Sequence, residues 1–264
     1  MPFTLAHPAA ILPFLRQPFV PIALLAGALA PDLPYFLKLP VNGGQWYEAM
    51  FMRNNTHDMA QILTMGLPLA ILLALFLWLV ADPLRWATPD TWLPNHQKLG
   101  RDPSAARVAL WIFYSLMVGL FTHIAWDSFT HATGWVVQQL PFLGTQIIAG
   151  IPLFNILQHA STAAGALILV LWYLKRLKVN PAKNPRTQGN GPRLALLAAV
   201  LIIPAVITAI IGYATDSAAG AIDGAASFLW TTITYGGMGL LISLTVYGAI
   251  WQVIALSKRM VAAR

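Results

Sequence analysis

The chain has no cysteine and very few charged residues. Among its 264 residues, only 9% are charged and 58% are hydrophobic. The absence of cysteine excludes disulfides, thiolate metal ligands and a thiol nucleophile, so any metal must be bound through nitrogen and oxygen. The scarcity of charge leaves too little polar surface for a soluble domain of this size. The composition therefore predicts a membrane protein with several spans.

The basic residues form a membrane topology signal. The net charge is +7, and the lysines and arginines concentrate in three regions: 82–107, 175–193 and the C-terminal tail. Segments 130–161 and 215–227 contain no lysine or arginine. The positive-inside rule predicts that the basic regions, including the C-terminus, are cytoplasmic and that the other two segments face outward. No basic run is interleaved with aromatic residues, so we expect no nucleic-acid partner.

Long apolar stretches predict an all-α, polytopic membrane fold. About 20 apolar residues are needed to cross a bilayer as a helix. Four stretches meet this length: 60–81, 108–129, 194–214 and 228–256. A fifth, 162–174, is long enough only if its helix begins in the preceding Leu157-Gln158-His159 turn. We therefore expect five transmembrane helices.

The first 30 residues predict a re-entrant helical hairpin. They contain two apolar pieces, each too short to span and split by Gln17-Pro18: 8–16 and 19–30. A hairpin surrounded by protein is tolerated in a membrane, and it brings His7 and Asp32 to the same outer face. A single crossing, with Arg16 as its cytoplasmic anchor, would place them on opposite faces. We favour the hairpin because buried polar groups need partners and only this arrangement supplies them to His7.

A polar segment near residue 185 predicts a division of the chain. Residues 180–191 (NPAKNPRTQGNG) include two prolines and two glycines, which is typical of a flexible linker. We expect a membrane domain at 1–178 with the hairpin, three spans and the candidate site. A cytoplasmic linker at 179–192 and a two-helix membrane hairpin at 193–264 follow it.

The strongest candidate site lies in residues 122–131 (THIAWDSFTH). On a helix, His123, Asp127 and His131 recur every four residues and share one stripe. Adjacent members can bind one ion, whereas the outer two are too far apart unless the helix ends or bends. We expect His123 and Asp127 as ligands, and His131 as a partner or a second-site ligand. The alternative is a hydrogen-bonded His-Asp pair that only locks helices together.

Other imidazoles and carboxylates lie at segment ends on the same predicted outer face. They are His7, Asp32, the pair His57-Asp58 and His159. Each has an alternative as a helix cap or an interfacial residue. At membrane depth, however, such groups are costly unless they pair, face a cavity or bind a metal. The coincidence of His7, Asp32, His57, His123 and Asp127 therefore predicts a metal site, while His96 in the basic loop receives no role.

This ligand set indicates hydrolase chemistry. Imidazoles and carboxylates without thiolate suit a divalent metal, zinc first and otherwise manganese or ferrous iron, with positions left for water. Such a metal supports hydrolysis of a phosphoryl or carbonyl ester. A site at the headgroup level among apolar helices favours a lipid or lipid-linked substrate. No G-x-S-x-G, Walker, H-E-x-x-H or dinucleotide motif is present.

The motifs MPFTLAHPAA, GALAPDLPYF, GLFTHIAWDSFTH and LFNILQHAST carry a family resemblance. The chain resembles a domain-of-unknown-function family of bacterial integral membrane proteins that begin MPFTLAHPA. That family is similar to the YdjM-like inner-membrane proteins, which are labelled predicted metal-dependent hydrolases. The resemblance covers about the first two thirds of the chain and implies an inner-membrane location. It implies the following metal set: His7, Asp32, His57, His123 and Asp127.

The nearer family typically also has His131 and His159. One departure concerns the second metal: the YdjM-like group has a fuller H-R-x-x-T-H-S turn, whereas residues 54–58 here (NNTHD) retain a single histidine. This departure argues against a two-metal centre.

Three hypotheses of function follow. The leading one is an inner-membrane metallohydrolase acting on a lipid ester or phosphoester at the outer face, with Asp58, His131 or His159 as general base or as support for the ligands. The second is a transporter or lipid translocase that uses the same polar cluster, although no inverted repeat is visible. The third is a membrane scaffold in which these residues only cap helices.

Overall fold

The structure is a computed structural model, and it describes residues 4–38, 47–93, 104–148, 150–179, 181 and 190–262. His96 and most of the predicted linker at 179–192 lie outside the described residues. The predicted division of the chain into two membrane domains stays a prediction.

The described residues are almost entirely helical. The α-helices are α1 (Pro21–Leu29), α2 (Pro34–Leu37), α3 (Glu48–Phe51), α4 (Arg53–Thr56), α5 (Leu67–Ala87), α6 (Ala105–Thr130), α7 (Trp135–Gln139), α8 (Leu153–Val179), α9 (Asn190–Ala218) and α10 (Ala225–Ala262). Tighter 3-10 helices occupy Thr4–Phe14, Ala30–Asp32, Met59–Gln61, Asp90–Trp92 and Pro141–Gly144, and a π-helical turn occupies Ile62–Gly66. A short antiparallel pair, β1 (Gln146–Ile148) and β2 (Ile151–Pro152), precedes α8.

The expected five spans are confirmed. The described residues contain five helical stretches that are long and apolar enough to cross a membrane: Met59–Ala87, Ala105–Gln139, Leu153–Val179, Asn190–Ala218 and Ala225–Val261. The predicted turn at Leu157-Gln158-His159 is wrong, because these residues lie inside α8, which begins at Leu153. Nothing in that segment interrupts the helix, so the fourth span has its full length.

The N-terminal hairpin is confirmed, with one correction. Its first arm is the 3-10 helix Thr4–Phe14 rather than an α-helix. Pro8 and Pro13 lie inside this arm, and each removes a backbone N–H and clashes with the α-helical carbonyl four residues earlier. The second arm is α1, which begins with Pro21, where a missing N–H costs nothing. Both ends of the hairpin meet His123 of α6, His7 by ring stacking and Asp32 through its carboxylate, so the chain returns to the level at which it started.

Helices α1 and α6 cross with their backbones in contact. A Cβ atom added at Gly119 would lie 2.7 Å from the Ala28 amide nitrogen and 2.8 Å from the Gly27 Cα atom. A Cβ atom added at Gly27 would in turn clash with the Leu116 carbonyl oxygen. Only glycine allows this approach, and it places the end of α1 beside the next turn of α6, where His123 lies.

The chain forms two compact units. The first comprises Met1–Pro34, Val41–Leu75 and Gln97–Lys178, and it contains the candidate site. The second comprises Tyr35–Pro40, Phe76–His96 and Val179–Arg264. Within the second unit, α9 and α10 pack closely where Gly239 meets the Pro204 carbonyl and the Thr208 hydroxyl.

Candidate metal centre

Helix α6 supplies the first two groups of the site. His123 and Asp127 are one helical turn apart, and both are buried, with 1% and 5% of their surface exposed. They continue a buried stripe that runs through Ser115 and Gly119 at the same four-residue spacing. This stripe is the face of α6 that packs against the hairpin, so the predicted helical alignment of His123 and Asp127 is observed.

Two further groups arrive from separate segments. Asp32 ends the 3-10 helix that follows α1, and His57 follows α4 directly. The His57 Nε2 atom lies 3.3 Å from both Asp32 Oδ1 and Asp127 Oδ2. The His123 Nε2 atom lies 3.7 Å from Asp32 Oδ1, 3.5 Å from Asp127 Oδ2 and 3.4 Å from His57 Nε2. Four residues from three separate segments of the chain therefore point their polar atoms at one place.

The spacing of these four atoms matches a metal coordination shell. Five of the six pairwise distances lie between 3.3 and 3.7 Å, and all are within 4.8 Å. Tetrahedral ligands at about 2.0–2.2 Å from zinc are separated from one another by about 3.3–3.6 Å. The cluster of Asp32, His57, His123 and Asp127, hereafter the four-residue cluster, is able to hold a metal ion.

The hydrogen bonds of the two histidines direct their lone pairs inward. His123 Nδ1 is 2.7 Å from the Ala28 carbonyl oxygen, which can only accept, so Nδ1 carries the proton. His57 Nδ1 lies 3.1 Å from the Thr56 hydroxyl, whose own proton goes to the Pro31 carbonyl at 3.0 Å. His57 Nδ1 is therefore also a donor. With Nδ1 protonated, the Nε2 atom of each imidazole faces carboxylate oxygens, an arrangement that needs either a proton on Nε2 or a cation between them.

His7, the fifth predicted ligand, lies beside the four-residue cluster and contacts a different oxygen. Its ring stacks on His123 with centroids 3.9 Å apart. Its Nε2 atom is 3.4 Å from Asp127 Oδ1, whereas the four-residue cluster uses Oδ2. His7 Nε2 and Asp127 Oδ1 are both buried and, within the described part of the chain, neither has a hydrogen-bond partner. Their separation of 3.4 Å is longer than a typical N–H···O hydrogen bond, so the two groups lie close together without a formed hydrogen bond.

His131 supports Asp127 from the end of α6. The helix ends at Thr130 and His131 has extended backbone angles, so its ring turns back to place Nδ1 3.5 Å from Asp127 Oδ2. Gln158 of α8, which is buried, lies with its Nε2 atom 3.5 Å from His131 Nε2. The amide N–H can only donate there, so His131 Nε2 accepts and Nδ1 carries the proton that faces Asp127.

The predicted assistants Asp58 and His159 are placed outside the four-residue cluster. Asp58 is exposed, and its carboxylate caps the 3-10 helix Met59–Gln61 by accepting from the Ala60 amide at 2.9 Å. His159 is exposed on α8, one residue after buried Gln158, and successive helical residues point about 100° apart. The capping role weighed as the alternative for Asp58 is the one observed.

Sequence reasoning missed Thr56 and Gln158. On α8, Gln158, Thr162 and Gly165 have the spacing of one helix face, and Gly165 packs against Ala6 of the hairpin. This small and polar stripe would have indicated the inward face of the helix and pointed to Gln158. Nothing in the sequence around Thr56 distinguishes an imidazole partner from a helix cap.

The groups of the site outside the spans have shifted pKa values. Burial alone would lower the pKa of His57, but hydrogen bonds to Asp127 and Asp32 raise it to about 9. Burial and the neighbouring His123 lower the pKa of His7 to about 4. Burial opposes ionisation of Asp32, yet the imidazoles of His123 and His57 hold its pKa below the usual value. At neutral pH without a metal, His57 is therefore charged and His7 is neutral.

A cavity lies beside His7. It has a volume of about 190 Å³, and His7 lies in its wall together with Ala9, Ala10, Trp126, Ser161 and Gly165. The Trp126 indole donates to the Ser161 hydroxyl at 3.2 Å, which joins α6 and α8 across one end. Trp126 is half exposed, so this wall of the cavity lies at the surface of the first unit.

Comparison with known proteins identifies the family of the chain. A family model described as a domain of unknown function (DUF4184) matches residues 1–249, so the chain belongs to this family. The match extends beyond the first two thirds of the chain, which contain all the motifs that carry the family resemblance. No curated protein and no solved structure matches the chain.

Proposed function

We propose that this member of the DUF4184 family is a membrane-embedded, metal-dependent hydrolase that cleaves an ester or phosphoester of a lipid. The observation that carries the proposal is the convergence of two imidazole nitrogens and two carboxylate oxygens at separations of 3.3–3.7 Å. The burial of these groups adds to it, because carboxylates and imidazoles at membrane depth require a compensating partner.

Zinc is the metal that we propose first. The donor set contains no sulfur, and the separations fit ligands at zinc distances. Manganese and ferrous iron accept the same donors with more coordination positions, so they are the alternatives. When bound, a divalent ion would polarise a phosphoryl or carbonyl oxygen of the substrate and activate water.

The side chains around the four-residue cluster have distinct roles in this proposal. Asp127 connects the four-residue cluster with His7, because its Oδ2 atom faces the imidazoles of the four-residue cluster and its Oδ1 atom faces His7. His7 stands between the cavity and Asp127 Oδ1, where it accepts the proton of the attacking water. His131, held by Gln158, orients Asp127. Neither Asp58 nor His159 has a part in the reaction.

The position of the site favours a lipid substrate. His123 and Asp127 lie in the last turns of α6, toward the end that the charge pattern places on the outer face. The cavity beside His7 has mostly apolar walls, as expected for a site that binds the apolar chain of a lipid.

An assay with two chromogenic probes tests the proposal. The full chain in lipid nanodiscs would be stripped with a chelator, reloaded with zinc, and given a long-chain 4-nitrophenyl ester or bis(4-nitrophenyl) phosphate. We expect zinc-dependent release of nitrophenol from at least one probe, and its loss in Asp32→Asn. The matched control is Asp216→Asn, because Asp216 in α9 also accepts hydrogen bonds, from Thr231 and Tyr235. If the zinc-loaded protein turns over neither probe, the hydrolase proposal is contradicted.

The role of His7 has its own test. His7→Gln should retain zinc and lose activity by about 10²-fold or more, the usual contribution of a positioned general base. If the variant loses zinc as well, His7 is a ligand, as the sequence pattern predicted, and the proton-accepting role is wrong.

A further inference from the structure

The second unit contains an apolar groove that the proposed hydrolase does not use. It has a volume of about 710 Å³, and its walls come from α9, α10 and the end of α5. The tight contact of Gly239 with Pro204 and Thr208 closes it at one end, and Trp86 and Trp251 line the other. Several wall residues, among them Val246 and Ile250, are more than half exposed, so the groove is open along its side.

An arginine with an unsatisfied nitrogen lies at the tryptophan end. The Arg193 guanidinium stacks on Trp86, with 4.7 Å between its Cζ atom and the ring centroid, and Trp86 in turn contacts Trp251 at 5.1 Å. The Arg193 Nη1 atom is buried and has no hydrogen-bond partner among the residues that the structure describes. On α9, Arg193 precedes the wall residues Leu196 and Val200 by three and seven positions, so it belongs to the same helix face.

The depth of the groove matches one membrane leaflet. Pro204 follows Arg193 by eleven residues, which is about 16 Å along a helix. The hydrocarbon core of a bilayer is about 30 Å thick, so the groove covers about half of it. The charged end lies on the side of the basic segments, since Arg85 adjoins Trp86 and Lys258 and Arg259 follow Trp251 on α10.

We propose that this groove binds a phospholipid from the leaflet on the basic side, with its phosphate on Arg193 and one acyl chain against the wall between Trp86 and Pro204. An apolar groove of this length suits an acyl chain, and a phosphate satisfies a buried guanidinium nitrogen by a charge-assisted hydrogen bond. The two tryptophans are typical of the headgroup level of a membrane. This lipid site is independent of the hydrolase proposal, because none of its residues belongs to the four-residue cluster.

Native mass spectrometry of the full chain tests the lipid site. The detergent-purified protein would be titrated with dioleoyl phosphatidylglycerol and with dioleoyl glycerol, which has the same chains and no phosphate. We expect retained phosphatidylglycerol to fall about tenfold in Arg193→Gln, the fold-change associated with one hydrogen bond to a charged group. Arg176→Gln is the matched control, because Arg176 also stacks on a tryptophan, Trp172, but is exposed and lies in the other unit.

A second variant tests the groove rather than the charge. Val200→Trp fills the wall beneath Arg193 and should reduce retention of phosphatidylglycerol while leaving the guanidinium in place. Equal retention of phosphatidylglycerol by wild type and Arg193→Gln, or equal binding of both lipids by the wild type, would overturn the proposal.

A third variant tests whether a second copy of the chain occupies the groove instead. Because the chain has no cysteine, Val246→Cys introduces a single thiol at the groove. Efficient disulfide crosslinking between two copies in nanodiscs would show that a second chain covers the groove and would overturn the proposal as well.

Discussion

Replacing Thr56 with valine tests whether the metal centre depends on the residues that orient its ligands. Thr56 is fully buried, and its hydroxyl accepts from His57 Nδ1 at 3.1 Å while donating to the Pro31 carbonyl at 3.0 Å. Valine has nearly the same shape but removes both hydrogen bonds. The imidazole of His57 then loses the contact that fixes its proton on Nδ1 and its lone pair toward Asp32 and Asp127.

The expected loss is large enough to measure. Removing a group that orients a metal-ligating histidine costs about 10–100-fold in metal affinity, which corresponds to about 1.4–2.7 kcal/mol. The assay is zinc competition with a chromophoric chelator, using protein whose folding is checked by gel filtration and tryptophan fluorescence. Thr56→Ser keeps the hydroxyl and should retain most of the affinity, which separates the hydrogen bonds from the packing of the side chain.

The control is Thr245→Val on α10, because the Thr245 hydroxyl is exposed and bonds only to the Leu241 carbonyl of its own helix among the contacts described. This variant should bind zinc as wild type does. A folded Thr56→Val protein with unchanged zinc affinity would refute the reasoning, since His57 would then not need a fixed proton position to act as a ligand.

Three further predictions follow from the same geometry. Gly119→Ala should lower the free energy of unfolding by about 1–3 kcal/mol and weaken zinc binding, because its Cβ forces α1 away from α6. Gly236→Ala, whose Cβ would meet its nearest neighbour at 3.5 Å, should change the melting temperature little. Zinc affinity should rise about tenfold per pH unit up to about pH 9, because zinc must displace the proton of His57, and a flat titration would contradict this. Gln158→Leu should reduce turnover of the chromogenic probes while leaving zinc bound, and unchanged turnover would exclude its role in orienting Asp127 through His131.

The need of buried polar groups for partners was enough to predict the hairpin and most of the site. Neither arm of the N-terminal segment can span a bilayer, and His7 has partners only if the chain returns to its starting face. The structure agrees, because His7 and Asp32 both face Asp127 or His123 of α6. The four-residue spacing of His123 and Asp127 likewise predicts a common helix face, and both side chains are buried on that face of α6.

The atomic roles could not be predicted, because they depend on how closely the segments approach. The contact of Gly27 with Gly119 brings the Ala28 carbonyl to His123 and so decides which nitrogen of that ring faces the site. The sequence predicts the start of α8 several residues too late. As a result His159, rather than Gln158, is the predicted site residue of this helix. Neither a helix crossing nor the rotation of a helix about its axis is encoded in the spacing of a few polar residues.

The most direct test of the central claim is metal analysis of the purified full chain, wild type beside His123→Ala, with His159→Ala as the matched control. We predict about one divalent ion per wild-type chain, its loss in the His123 variant, and its retention in the His159 variant, because His123 is buried in the four-residue cluster and His159 is exposed. Wild-type protein that binds no metal after reloading with zinc, manganese or ferrous iron would contradict the account. Metal that survives the loss of His123 would contradict it equally.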